Sequence, residues 1–141
     1  MDKLTEVYND LHNAGVMMFS CPMHFSSDTA AVTIEVNGDY GIFLDTDLIT
    51  TEAEENAAVA HEAGHIFTGS THFLSSPFQI VQQHENRADK WAIKKLIPKN
   101  ELDAAVADGH IDLWDLAEYF NVPERFIRKA VHYYKFNNLS L

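Results

Sequence analysis

One short stretch, His61-Glu62-Ala63-Gly64-His65, carries residue types that bind and use a metal. On a helix, residues four apart share a face one turn apart, so two imidazoles can converge on one tetrahedral ion. Glu62 would then project beside them, where a carboxylate can take a proton from water. The chemistry of such a set is metal-assisted hydrolysis. Random placement of this chain's histidines and glutamates yields the pattern about 0.03 times, so chance is a weak competitor. The competing explanation is that His61 and His65 are ordinary helix residues.

A catalytic zinc needs a third protein ligand and one open position. The extended pattern HExxHxxGxxH would require Gly at 68 and His at 71, but the chain has Thr68 and Thr71 there, and Gly69 and His72 miss by one residue. His72 is therefore expected at the surface. A better source lies further on, where Val81, Ala88, Ala92 and Leu96 form an apolar helical stripe. At 100° per residue Glu85 falls in its middle, and a carboxylate there is costly unless a cation meets it. Asp89, one turn along, suits the role of holding a ligand histidine by its free ring N–H. Asp89 remains an alternative ligand to Glu85, and the competing reading of Glu85 is an ion pair with Arg87, Lys90 or another nearby base. His84 points about 100° away from Glu85 and is a poorer candidate.

Those side chains need elements to hold them. Leu4, Val7, Tyr8 and Leu11 recur at helical spacing before Gly15, predicting a first helix, and the apolar run Val16 to Phe19 can pair as a strand. Pro, Ser and Asp between Cys21 and Thr29 predict a loop. Ala31–Val36 and Tyr40–Asp45 flank Asn37-Gly38-Asp39, a hairpin pattern, so a small antiparallel sheet is expected. Thr50 or Thr51 caps a helix running to about Phe67, with Glu52, Glu54 and Glu55 suited to the positive end of its dipole, and Gly69 ends it. After a loop at Ser75-Ser76-Pro77, a second long helix spans about Phe78 to Ile97 and stops at Pro98. Three shorter helices follow, at Asn100–Asp108, Leu113–Phe120 and Pro123 to about Phe136. The expected fold is α+β in one domain over 1–141: an N-terminal helix and sheet (1–50), two metal-binding helices (51–98) and a helical C-terminal subregion (99–141).

Composition bounds the function. The chain has 141 residues, 46% apolar and 22% charged, which fits one globular domain with a real core. No apolar run approaches the roughly 20 residues of a membrane span, and the first residues lack the layout of a signal peptide, so a cytoplasmic protein is expected. The single cysteine, Cys21, forbids an internal disulfide and any zinc site built on two thiolates. Cys21 and His24 are spaced like half a metal site whose second half does not exist. The net charge is -11. Up to Asn86 only Lys3 is basic against thirteen acids, a balance of -12, whereas nine basic residues face eight acids from Arg87 on, a balance of +1. Such an acidic body repels nucleic acid and anionic membrane.

His61-Glu62-Ala63-Gly64-His65, then Glu85-Asn86-Arg87-Ala88-Asp89-Lys90-Trp91-Ala92 and Leu96-Ile97-Pro98, resemble the ImmA/IrrE family of zinc metallopeptidases. The resemblance spans roughly Tyr40 to Pro98, more loosely the C-terminal helices, and includes Tyr40–Asp45 as the likeness of the family's edge strand. It implies a zincin-like body, Zn²⁺ as cofactor and Glu85 as third ligand. Arg87 and Asp89 depart from the family's usual glutamate and asparagine, and Asp89 brings the segment nearer the gluzincin pattern ExxxD. The family further implies a protein substrate, often a helix-turn-helix repressor of a prophage or mobile element. Zinc on two imidazoles and a carboxylate lowers the pKa of its water toward ~7, and Glu62 would take the proton and pass it to the leaving amine. Manganese or iron fit the same ligands. For the oxyanion, His24, Tyr40 and His72 stand unranked.

Leu113 to Val131 resembles a helix-turn-helix, with Leu116, Ala117, Phe120, Val122 and Ile127 at its core spacing and Arg125, Arg128, Lys129, His132 and Lys135 on its last helix. DNA reading is conceivable there, but few phosphate contacts are available and the body is acidic, so these helices are expected to complete the core. Trp91 and Trp114 are expected in the core as well. The rival to a peptidase is a regulator that binds a repressor or DNA without catalysis, around a structural metal.

Overall fold

A computed structural model describes residues 2–23, 29–71 and 77–139, the side chain of Phe78 excepted. The order is α1 (Lys3–Asn13), β1 (Met17–Cys21), β2 (Ala31–Val36), β3 (Asp39–Asp45), α2 (Glu52–Phe67), α3 (Phe78–Leu96), α4 (Lys99–Ala107), α5 (Leu113–Phe120) and α6 (Glu124–Phe136). The helices fall where their caps and breakers put them. The Thr51 hydroxyl accepts from the Glu54 amide at 3.1 Å to start α2, and Gly69, at φ +63°, turns the chain after it. Most of the loop expected between Cys21 and Thr29, and Ser75 and Ser76 of the loop expected before the second long helix, lie outside the described residues, as do His24 and His72.

The fold is α+β, with a correction to the sheet. It is mixed, in the order β1-β3-β2. β2 and β3 form the expected antiparallel hairpin, turned by Asn37 and Gly38, both at positive φ, as a two-residue hairpin turn with matching twist requires. β1, however, runs parallel to β3, with Met17 opposite Gly41 and Cys21 opposite Asp45. The reason is topological: β2 itself is the return leg that carries the chain back, so β3 restarts in the direction of β1. β3, with Ile42 and Leu44 buried, takes the centre, so Tyr40–Asp45 is not the edge strand that the resemblance implied. β2 is an edge strand, and it packs on α2.

α2 and α3 lie against one another along the middle of the core, joined there by Val7 and Leu11 of α1, Leu102 and Ala105 of α4, Leu116 of α5, and Phe126, Ile127 and Ala130 of α6. The expected stripe on α3 faces inward at Ala88, Ala92 and Leu96, while Val81 is half-buried. Their approach is very close: a Cβ built on Gly64 would stand 2.5 Å from the Ala88 carbonyl oxygen. The two tryptophans part company. Trp91 packs on the core and stacks with Phe67, but Trp114 is 60% exposed, because α5 turns Leu116 and Ala117 inward and the other side of the helix outward. Cys21 is a half-buried free thiol. Among the described residues no helix is long and apolar enough to cross a membrane.

Candidate metal centre

The α2–α3 contact brings four of the predicted side chains together. His61 Nε2 lies 2.8 Å from one Glu85 oxygen, His65 Nε2 lies 3.0 Å from the other, and the two Nε2 atoms are 3.2 Å apart. Among the described residues these three form the one group of His, Cys, Asp and Glu side chains placed to share a metal ion. Ligands held tetrahedrally at 2.0–2.1 Å from zinc stand roughly 3.3 Å from one another, so the donor spacing is close to what a metal needs.

Each imidazole is oriented from behind. Asp89 Oδ1 accepts from His61 Nδ1 at 2.7 Å, and the Ser70 carbonyl accepts from His65 Nδ1 at 3.0 Å. Both acceptors lack a proton to give, so each Nδ1 is the protonated nitrogen and each Nε2 is free to serve as a donor atom when the ring is neutral. Asp89, with both oxygens engaged, stands behind His61 rather than in the ligand group, which separates it from Glu85. Glu85 pairs with the two histidines across the helix interface, not with Arg87 or Lys90 on its own helix.

Glu62 is 8% exposed, and one of its oxygens accepts from the Thr33 hydroxyl of β2 at 2.8 Å. Burial raises its pKa, opposed by His61, the Thr33 hydrogen bond and His65. Around His61 the balance tips the other way. Burial alone would lower its pKa, but hydrogen bonds to Asp89 and Glu85 outweigh it and lift it to about 10. His65 is raised too, against its burial, chiefly by the Glu85 hydrogen bond. Burial would raise Glu85, yet hydrogen bonds to both histidines carry it well below the usual carboxylate range. Glu85 and Asp89 are both carried down and both histidines are raised, which is the charge pattern of a cation site: ionised carboxylates that hold positive charge between them.

The group opens into a cleft of about 980 Å³, walled on one side by Thr29, Ala30 and β2 from Ala31 to Ile34, and on another by Arg125, Phe126 and Lys129 of α6. Tyr40 stands opposite Glu35 in the hairpin and does not line it. Three contributors were not legible in the sequence. Thr33 sits in an ordinary strand pattern. Ser70 acts through a carbonyl that every residue owns, and the one clue is Gly69, whose left-handed turn folds that carbonyl back. Lys129 was read with Arg125 as a basic face, but its Nζ donates to Asp89 Oδ2 at 3.0 Å, while Arg125 grips Glu54 of α2 with two hydrogen bonds of 2.9 and 2.6 Å. The Glu52 to Glu55 cluster does more than complement the helix dipole: Glu52 accepts from Asn121 and Glu55 from the Tyr8 hydroxyl.

Two helices that face one another, one with the His-Glu-x-x-His turn and the other with a carboxylate between the two imidazoles, define the class of HExxH proteins. The family is narrower. A family model described as Peptidase_M78, IrrE N-terminal-like domain, matches residues 14–132, and the chain belongs to this peptidase family. Among curated proteins none matches it.

Proposed function

We propose that the chain is a zinc-dependent metalloendopeptidase of the cytoplasm whose substrate is a helix-turn-helix repressor of a prophage or mobile element. His61, His65 and Glu85 are the metal ligands in this reading, Glu62 the catalytic base and Asp89 the partner that orients His61. The observation that carries it is the convergence of both Nε2 atoms on the Glu85 carboxylate with each Nδ1 already committed to an acceptor. When bound, zinc supplies a Lewis acid for the scissile carbonyl and water activated at neutral pH. Glu62, its proton affinity raised by burial, takes the proton of the attacking water and returns it to the leaving amine. Thr33 holds the carboxylate in place for both transfers. β2 offers backbone groups along its outer side for an extended peptide to pair with, which suits a protein substrate.

Elemental analysis after dialysis tests the site: about one zinc per chain is expected in wild type, lost in His61→Ala and Glu85→Ala. Mass spectrometry of a repressor incubated with zinc-loaded protein then tests the reaction. Glu62→Gln is expected to keep its zinc and lose at least about 100-fold in cleavage rate. A wild type that takes up no zinc when it is added back would sink the reading. Zinc uptake with equal repressor binding and no cleavage in wild type and variant would favour the non-catalytic regulator.

A further inference from the structure

We propose that Lys129 is a positioning residue for the metal centre, fixing the Asp89 carboxylate and through it the ring of His61. This rests on the metallopeptidase reading, which makes His61 a ligand. Asp89 has two oxygens and two separate donors: His61 Nδ1 at 2.7 Å on one and Lys129 Nζ at 3.0 Å on the other. A carboxylate held from both sides cannot rotate without breaking a charge-assisted hydrogen bond. The Asp89 side chain is 15% exposed, so little water is at hand to replace either donor.

The lysine is itself firmly based. It projects from α6, whose Phe126, Ile127, Ala130 and Tyr133 are buried, and one turn earlier Arg125 binds Glu54. The last helix thus ties α2 through Glu54 and α3 through Asp89, 35 residues apart in the chain but both beside the cleft.

The sign of one measurement separates positioning from plain electrostatics. A cation near a divalent metal repels it, so if Lys129 acts by charge alone, its removal tightens metal binding. If it positions His61, its removal weakens binding, because a misaligned ligand partner typically costs about 10- to 100-fold in metal affinity.

Zinc affinity would be measured by competition with a chromophoric chelator, and ligand geometry by the visible absorption of the Co²⁺ protein. The proteins are wild type, Lys129→Met, Lys129→Gln, Lys129→Arg and Lys95→Met. Lys95 pairs with Glu6 and Asp10 of α1, so its variant removes a paired cation away from the centre. Lys129→Met and Lys129→Gln are expected to bind zinc about tenfold more weakly and to change the Co²⁺ spectrum, with Gln keeping the test open where Met folds poorly. Lys129→Arg should restore both readouts, and Lys95→Met should match wild type. Unchanged or tighter binding in Lys129→Met and Lys129→Gln, or equal weakening in Lys95→Met, would overturn the proposal while leaving the metal site intact. A wild type that binds neither metal overturns the peptidase reading, and this inference with it.

Discussion

In the proposed metal site, a proton and a metal compete for the same nitrogen of His61. Burial disfavours the charged ring, but Asp89 and Glu85 outweigh it and raise its pKa to about 10, so at neutral pH the metal-free imidazole is protonated. Nε2 must lose that proton to bind a metal, so apparent affinity rises with pH throughout the range below about 10. For each proton displaced the rise is roughly tenfold per pH unit. Calorimetric zinc titration between pH 6 and 8.5 in buffers of differing ionisation enthalpy should show proton release and tightening affinity; pH-independent binding would contradict it. The same residues show what the sequence made legible. His61 with His65 and Glu85 with Asp89 are each one helical turn apart, so periodicity alone set each pair on one face. Thr33, Ser70 and Lys129 reach the centre from β2, a turn and α6, and apart from Gly69 beside Ser70 no local pattern marks them.

Among the elements, the α2–α3 interface is set by what is missing from Gly64. Its backbone is helical, so conformation does not demand glycine; space does, because an added Cβ would meet the Ala88 carbonyl oxygen at 2.5 Å and its Cα at 2.9 Å. Both are backbone atoms of α3 and cannot swing aside as a side chain would. Gly64→Ala must therefore push the metal helices apart, and overpacking of this kind costs about 1–3 kcal/mol. For a chain of this length that lowers Tm by roughly 3–10 °C, readable by circular dichroism. It should also weaken zinc binding, since Glu85 travels with α3; an unchanged melting curve would disprove the close approach. Helix ends and the hairpin were legible because Thr51, Gly69 and Asn37-Gly38 act locally. The parallel pairing of β1 was not, since it depends on which side of β2 the chain returns. Nor was the outward face of Trp114, which depends on which side of α5 meets the core.

For the whole molecule the deciding property is where the charge sits. The acids of the first 86 residues leave that part at -12, and two of the nine basic residues that follow reach back to meet them: Lys95 binds Glu6 and Asp10, and Arg125 binds Glu54. Lys129 is likewise taken up by Asp89. Of the basic residues that make α6 resemble a DNA-reading helix, two are thus engaged beside the cleft, and a net charge of -11 opposes the phosphate backbone. Gel-shift assays at 150 mM salt should show no retention of duplex DNA; binding that weakens steeply with salt would overturn this. A field that would turn DNA away would also draw in the proteins that bind DNA, which suits the proposed repressor substrate. A repressor with a basic face approaches an acidic body down a favourable potential, which raises encounter rates by about 10- to 1,000-fold at low salt and leaves the chemical step alone. For cleavage of such a substrate, kcat/KM should fall about tenfold or more between 50 and 500 mM NaCl while kcat stays constant. A short uncharged peptide spanning the same bond should show no such loss. If both substrates lose equally, salt acts on the site rather than on the encounter, and the acidic surface has no part in choosing the substrate.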